Sequence, residues 1–151
     1  MQIIKFIQKL MIVSFTAVMF VGCGDDVSTI KNGTLEFDKS ITVGQAFDKY
    51  KYFSSTKWKN FSTDNGKKIV EVKGDLKNEY LQHMEWEDKF ASASLIVQFT
   101  INKDDTFEIS AIAFDVLTRN GDKKREDMGA RLTTRQLNTL LRELYNNKPL
   151  S

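Results

Sequence analysis

The sequence predicts an α+β domain: an antiparallel sheet of about four strands, arranged as two hairpins, with an N-terminal and a C-terminal helix packed on it. Three observations carry this. Two capping-box pairs, Thr42 with Gln45 and Thr133 with Gln136, each open an apolar stripe at helical spacing. Between them lie two pairs of alternating segments, each joined by turn formers. No internal repeat or low-complexity run breaks this order.

Asn32-Gly33 is a turn signal, and Thr34 to Phe37 read as a short edge strand. The first helix starts at Thr42, with Val43, Ala46, Phe47 and Tyr50 on one face; Tyr52 and Phe53 extend that surface past its end. The first hairpin runs from Lys57 to Ser62, turns at Thr63-Asp64-Asn65-Gly66 and returns through Lys68 to Val72, where Gly74-Asp75 ends or bulges the strand. Asn78 to Phe90 fit two periods. Tyr80, Leu81 and Met84 suit a helix; Tyr80, Gln82, Met84 and Trp86 suit a strand.

The second hairpin is the clearest β signal. Leu95, Val97, Phe99 and Ile101 share one face, and Asn102 to Asp105 form the turn. On the return, Phe107, Ile109, Ala111 and Ala113 face one way, Ile112 and Phe114 the other. Apolar groups on both faces predict central strands covered by helices. Arg119 to Arg131 read as a mobile charged loop, although Asn120-Gly121 could tighten a last hairpin. Leu137, Leu140, Leu141, Leu144 and Tyr145 make the stripe of the last helix, and Pro149 lies past its end.

The start of the chain has its own pattern. Lys5 and Lys9 precede an apolar run from Leu10 to Val21, broken only by Ser14 and Thr16, then Gly22 and the single cysteine, Cys23. A positive head, a short apolar run and a small residue form a secretory signal. The run is shorter than the ~20 apolar residues of a spanning helix. Phe20-Val21-Gly22-Cys23 resembles the lipobox of bacterial lipoproteins, with Phe where Leu is commonest. The resemblance implies cleavage before Cys23 and acylation of that residue, so that the membrane is a partner through its lipid. Residues 1–22 are then a signal peptide, 23–31 a lipidated cysteine and flexible tether, and 32–148 one domain. Gly24 rather than Asp follows Cys23, with Asp25 and Asp26 next along. In enterobacterial lipoproteins Asp at that place favours the inner membrane, so the resemblance implies the periplasmic side of the outer membrane.

Cleavage leaves 129 of the 151 residues, with 20 basic and 20 acidic side chains, because only Lys5 and Lys9 leave with the leader. A balanced domain has no basic field for nucleic acid. Lys31-Asn-Gly-Thr-Leu, Ser40-Ile-Thr-Val-Gly-Gln-Ala-Phe-Asp-Lys-Tyr, Trp58 and the Phe99-to-Phe107 hairpin together resemble an uncharacterised domain of small bacterial envelope proteins. This implies an α+β envelope module and carries no activity with it.

Catalytic chemistry finds little purchase. One His, His83, and one Cys make a zinc site improbable, and no metal or cofactor is expected. His83 lacks a Gly-x-Ser-x-Gly partner, and an acylated Cys23 cannot ionise. Asp64-Asn65-Gly66 lacks the spacing of a calcium loop, and no phosphate-binding glycine pattern occurs. Glu85, Glu87 and Asp88 are the acids that could serve glycoside hydrolysis; Asp104 and Asp105 occupy a hairpin tip. Trp58 reads as core. Tyr50, Tyr52, Phe53 and Trp86 form the candidate partner surface. The expected function is a lipid-anchored, non-catalytic binding or assembly module whose partner is another envelope protein or a cell-wall component. The alternatives are a cell-wall hydrolase acting through residues 85–88, or an inhibitor of an external lytic enzyme.

Overall fold

The computed structural model describes residues 25–83 and 88–150. In chain order the elements are α1 (Asp26–Asn32), α2 (Val43–Asp48), β1 (Phe53–Ser62), β2 (Lys68–Leu76), α3 (Asn78–His83), β3 (Phe90–Ile101), β4 (Phe107–Thr118), β5 (Lys123–Asp127), α4 (Met128–Arg131) and α5 (Thr134–Tyr145). The strands form one antiparallel meander in the order β1-β2-β3-β4-β5, with helices around it: an α+β fold.

Among the described residues the sheet has five strands rather than the four expected. The fifth comes from the stretch read as a loop, where the alternative of a last hairpin at Asn120-Gly121 is the one that forms. Gly121 adopts φ 91° and closes a tight turn in which the Thr118 N–H donates to the Asp122 carbonyl at 2.8 Å. Opposite each other on β4 and β5, Asp115 accepts from Arg125 Nε at 2.6 Å and Nη2 at 2.8 Å. This bidentate pair holds a short, highly charged strand, the kind that protects a sheet edge from further pairing. Residues 34–37 form no strand: Leu35 makes an isolated bridge to Asp38 and is fully buried. Asp26–Asn32, read as tether, is helical. The Asp25 carboxylate accepts from Ser28 N–H at 2.7 Å, and Ile30 is buried against the domain.

Both capping boxes form. Thr42 Oγ1 accepts from Gln45 N–H at 3.1 Å while Gln45 Oε1 accepts from Thr42 N–H at 2.9 Å, and Thr133 and Gln136 repeat the exchange. Of the ambiguous segment, Asn78–His83 is helical, and residues 84–87 lie outside the described residues.

Among the described residues the helices cover one face of the sheet, not both. Every buried apolar side chain of α1, α2, α3 and α5 belongs to a single cluster with Val72, Leu95, Val97, Phe99, Ile112 and Phe114. Ile69, Ile96 and Ala113 are buried on the opposite face, outside that cluster. Lysine stems on neighbouring strands can cover such residues without a second layer, and Lys57 and Lys73 stand in the same cross-strand row as Ile96. The rest of that outer face is a hydrogen-bonded polar array. Ser55 and Ser94 donate to Asp75 at 2.8 and 2.6 Å. Glu71, buried to 4% exposure, receives Lys59 Nζ at 3.1 Å and Gln98 Nε2 at 2.7 Å.

Candidate functional site

Helix α5 presents Leu137, Leu140, Leu141, Leu144 and Tyr145 inward. Beside it, β5 runs into α4, where the Asp127 carboxylate accepts from Gly129 N–H at 2.8 Å and starts the short turn. The chain then reaches Thr133 and enters α5. This detour leaves a cleft of about 380 Å³ between α4, α5 and the ends of β3 and β4. Phe114, Val116 and Leu140 are its buried walls, with Leu150 from the C-terminal segment. Phe90, Met128 and Leu132 are half-buried around it. Its ionisable groups are Lys89, Glu126 and Arg131, and Arg131 Nη2 is ion-paired with Glu126 Oε2. The cleft is therefore apolar inside and charged at the rim, the composition of a small-ligand pocket, and its volume falls in the usual 300–1,000 Å³ range.

A second groove, of about 490 Å³, lies nearby between Lys51, Tyr52, Lys77, Glu79, Tyr80 and Pro149. Its Tyr52 and Tyr80, tilted at 5.0 Å, belong to a run of ring contacts that continues into the core: Tyr50 and Tyr52 tilted at 5.3 Å, and Tyr50 edge-on to Phe53 at 4.7 Å. Two of the phenols hold the C-terminal segment. Tyr50 OH donates to the Lys148 carbonyl at 2.7 Å and Tyr80 OH to the Leu150 carbonyl at 2.6 Å. Burial pushes both hydroxyls well above the usual tyrosine range. Pro149 lines the groove and Leu150 the cleft, so the clamped segment is the wall between them.

The aromatic candidates are thus divided. Tyr50 and Phe53 are core side chains, 3% and 7% exposed; Tyr52 is half-buried at the groove, with Lys51 Nζ 4.9 Å from its ring centre. Cys23, Trp86, Glu85 and Glu87 lie outside the described residues. Asp88 is exposed. Asp104 serves its turn, accepting from Thr106 N–H at 3.1 Å and Thr106 Oγ1 at 2.6 Å. Trp58 packs on the core, edge-on to Phe47 at 5.9 Å, with its indole N–H donating to Asp48 at 2.8 Å. Among the described residues no three His, Cys, Asp or Glu side chains converge as for a metal, and no helix is long and apolar enough to cross a membrane.

Sequence reasoning missed the cleft. Met128, Arg131 and Leu132 fell in or beside the stretch read as a loop, and Phe114 and Leu140 read as plain core. The Asp127 to Gly129 spacing of a short helix cap was the available signal.

No family model, curated protein or solved structure matches this chain.

The cleft is consequently read from its own chemistry. It offers apolar contact and two cations against one acid, and its carboxylate is already engaged by a guanidinium. That arrangement suits holding a ligand more than moving a proton.

Proposed function

We propose that this chain is a lipid-anchored bacterial envelope protein acting as a non-catalytic binding or assembly module. The lipobox-like Phe20-Val21-Gly22-Cys23 supports the anchor, and Gly24 supports the periplasmic side of the outer membrane. The observation that carries the binding reading is the cleft of about 380 Å³, apolar within and charged at its rim. In this reading the helices Met128–Arg131 and Thr134–Tyr145 keep the cleft in shape. The partner is another envelope component brought to it at the membrane surface.

The experiment is crosslinking in intact cells followed by recovery of the protein. The lipidated form should capture a partner that Cys23→Ala, displaced from the membrane, does not. Palmitate-analogue labelling should vanish in Cys23→Ala, and labelling that survives would refute the anchor. Release of fragments from peptidoglycan by the purified protein would replace the binding reading with a hydrolase.

A further inference from the structure

We propose that the cleft takes a single-chain amphiphile with one anionic head, of the class of medium-chain carboxylates. This deepens the binding-module reading and rests on it.

Volume limits the ligand first. At about 30 Å³ for each water-sized group, 380 Å³ admits roughly a dozen of them. That matches one chain the length of decanoate. The walls set its character. Phe114, Val116 and Leu140 are between 3% and 4% exposed, so the interior offers apolar contact, which a hydrocarbon chain fills without stranding polar groups. Met128 and Leu132 are half-buried at its margin, and a methionine adapts its shape to a flexible chain.

Charge sets the head. Arg131 is paired with Glu126, and a guanidinium carries five N–H donors, more than one carboxylate consumes. Lys89 has no ion-pair partner among the described residues. Among the described residues the rim therefore offers an ammonium outside any ion pair and spare guanidinium donors beside an apolar interior. A carboxylate at the end of an alkyl chain satisfies both at once. A neutral head leaves the ammonium to water, and a cationic one meets like charge.

The test uses the full lipidated chain in zwitterionic nanodiscs, with ¹³C-labelled methionine methyls and the Met128 signal assigned through Met128→Leu. Decanoate should shift that signal saturably, and decanol should bind at least about tenfold more weakly, having lost its charge-assisted contacts to Lys89 and Arg131. Lys89→Gln, at an exposed position, should remove part of that difference, Arg131 keeping the rest, and Lys89→Arg should restore most of what is lost. Equal binding of decanoate and decanol, unaffected by Lys89→Gln, would overturn the anionic head and leave the binding module standing. An unmoved Met128 signal with both probes would overturn the ligand class altogether; the crosslinking experiment then decides the module reading on its own. A Met128 shift produced by phosphatidylglycerol nanodiscs without added decanoate would assign the cleft to bilayer lipid and overturn the proposal too.

Discussion

Gly74 sits in the middle of β2 with the Phe53 ring laid against its backbone, where any Cβ would collide with ring carbons. The glycine neither ends the strand nor bulges it; it makes room for an aromatic neighbour on β1. Gly74→Ala should therefore destabilise by about 1–3 kcal/mol through overpacking. Urea unfolding should show a lower midpoint with an unchanged slope. The double change with Phe53→Leu should recover part of the loss, because the two sites share one contact. On the outer face, Arg125 hydrogen bonds hold the Asp115 carboxyl below the usual carboxylate range. Burial tends to raise Asp75, but its hydrogen bonds from Ser94 and Ser55, with Lys73 and Lys57 nearby, outweigh that and lower it. Both groups ionise more readily folded than unfolded. Their stabilisation is present above the unfolded value of about 3.9 and is lost as pH falls through the lower folded values. Stability should decline on acidification below about pH 4, and more gently in Asp75→Asn or Asp115→Asn. Equal acid sensitivity in those variants would remove these carboxylates from the account.

At the scale of elements, one residue explains the mixed apolar pattern of β4. Gln98 pairs with Ala111 and the next residue, Phe99, pairs with Ile109, so Ser110 is an extra residue in the ladder. A one-residue insertion flips every side chain beyond it to the other face. Phe107 and Ile109 before the bulge therefore share the core with Ile112, Phe114 and Val116 after it. Read with unbroken alternation, the same residues imply two buried faces and helices on both. Deleting Ser110 should turn Ile112, Phe114 and Val116 outward, with loss of the cooperative unfolding transition by circular dichroism. Among the helices, α5 depends on its cap. Thr133→Ala should cost about 0.5–2 kcal/mol, and Thr133→Ser much less, since serine can accept the same Gln136 N–H.

The whole molecule closes on itself through the C-terminal segment. Tyr50 and Tyr80 donate to carbonyls 98 and 70 residues away in sequence, and Leu150 is inserted at 4% exposure. Burial keeps these phenols neutral in the fold at pH values where the unfolded chain ionises its tyrosines. That contribution is complete below about pH 10 and is lost as pH rises beyond it. Alkaline unfolding should start above about pH 10 and be shallower in Tyr50→Phe or Tyr80→Phe, although each variant starts less stable for want of its hydrogen bond. Leu140 belongs to both core and cleft, so Leu140→Ala should cost about 2–5 kcal/mol.

Near neighbours along the chain were enough to reveal the α+β class, both capping boxes, two hairpins and the apolar stripe of α5. Each of these depends on contacts within a few residues, where turn chemistry and periodicity act directly. The proposed leader and its cysteine rest on the same kind of local signal, a run of residues. The fifth strand was legible only as the alternative of a last hairpin at Asn120-Gly121; the bulge, the burial of Ile30 and the single face that the described helices cover were not. They depend on pairings such as Asp115 with Arg125, and on which side of the sheet a distant helix lands. The cleft lay furthest from view. Its walls come from β3, β4, α4, α5 and the C-terminal segment, and an apolar residue reads alike whether it faces another side chain or an empty space. Periodicity says that a side chain turns inward; packing in three dimensions settles what it meets there.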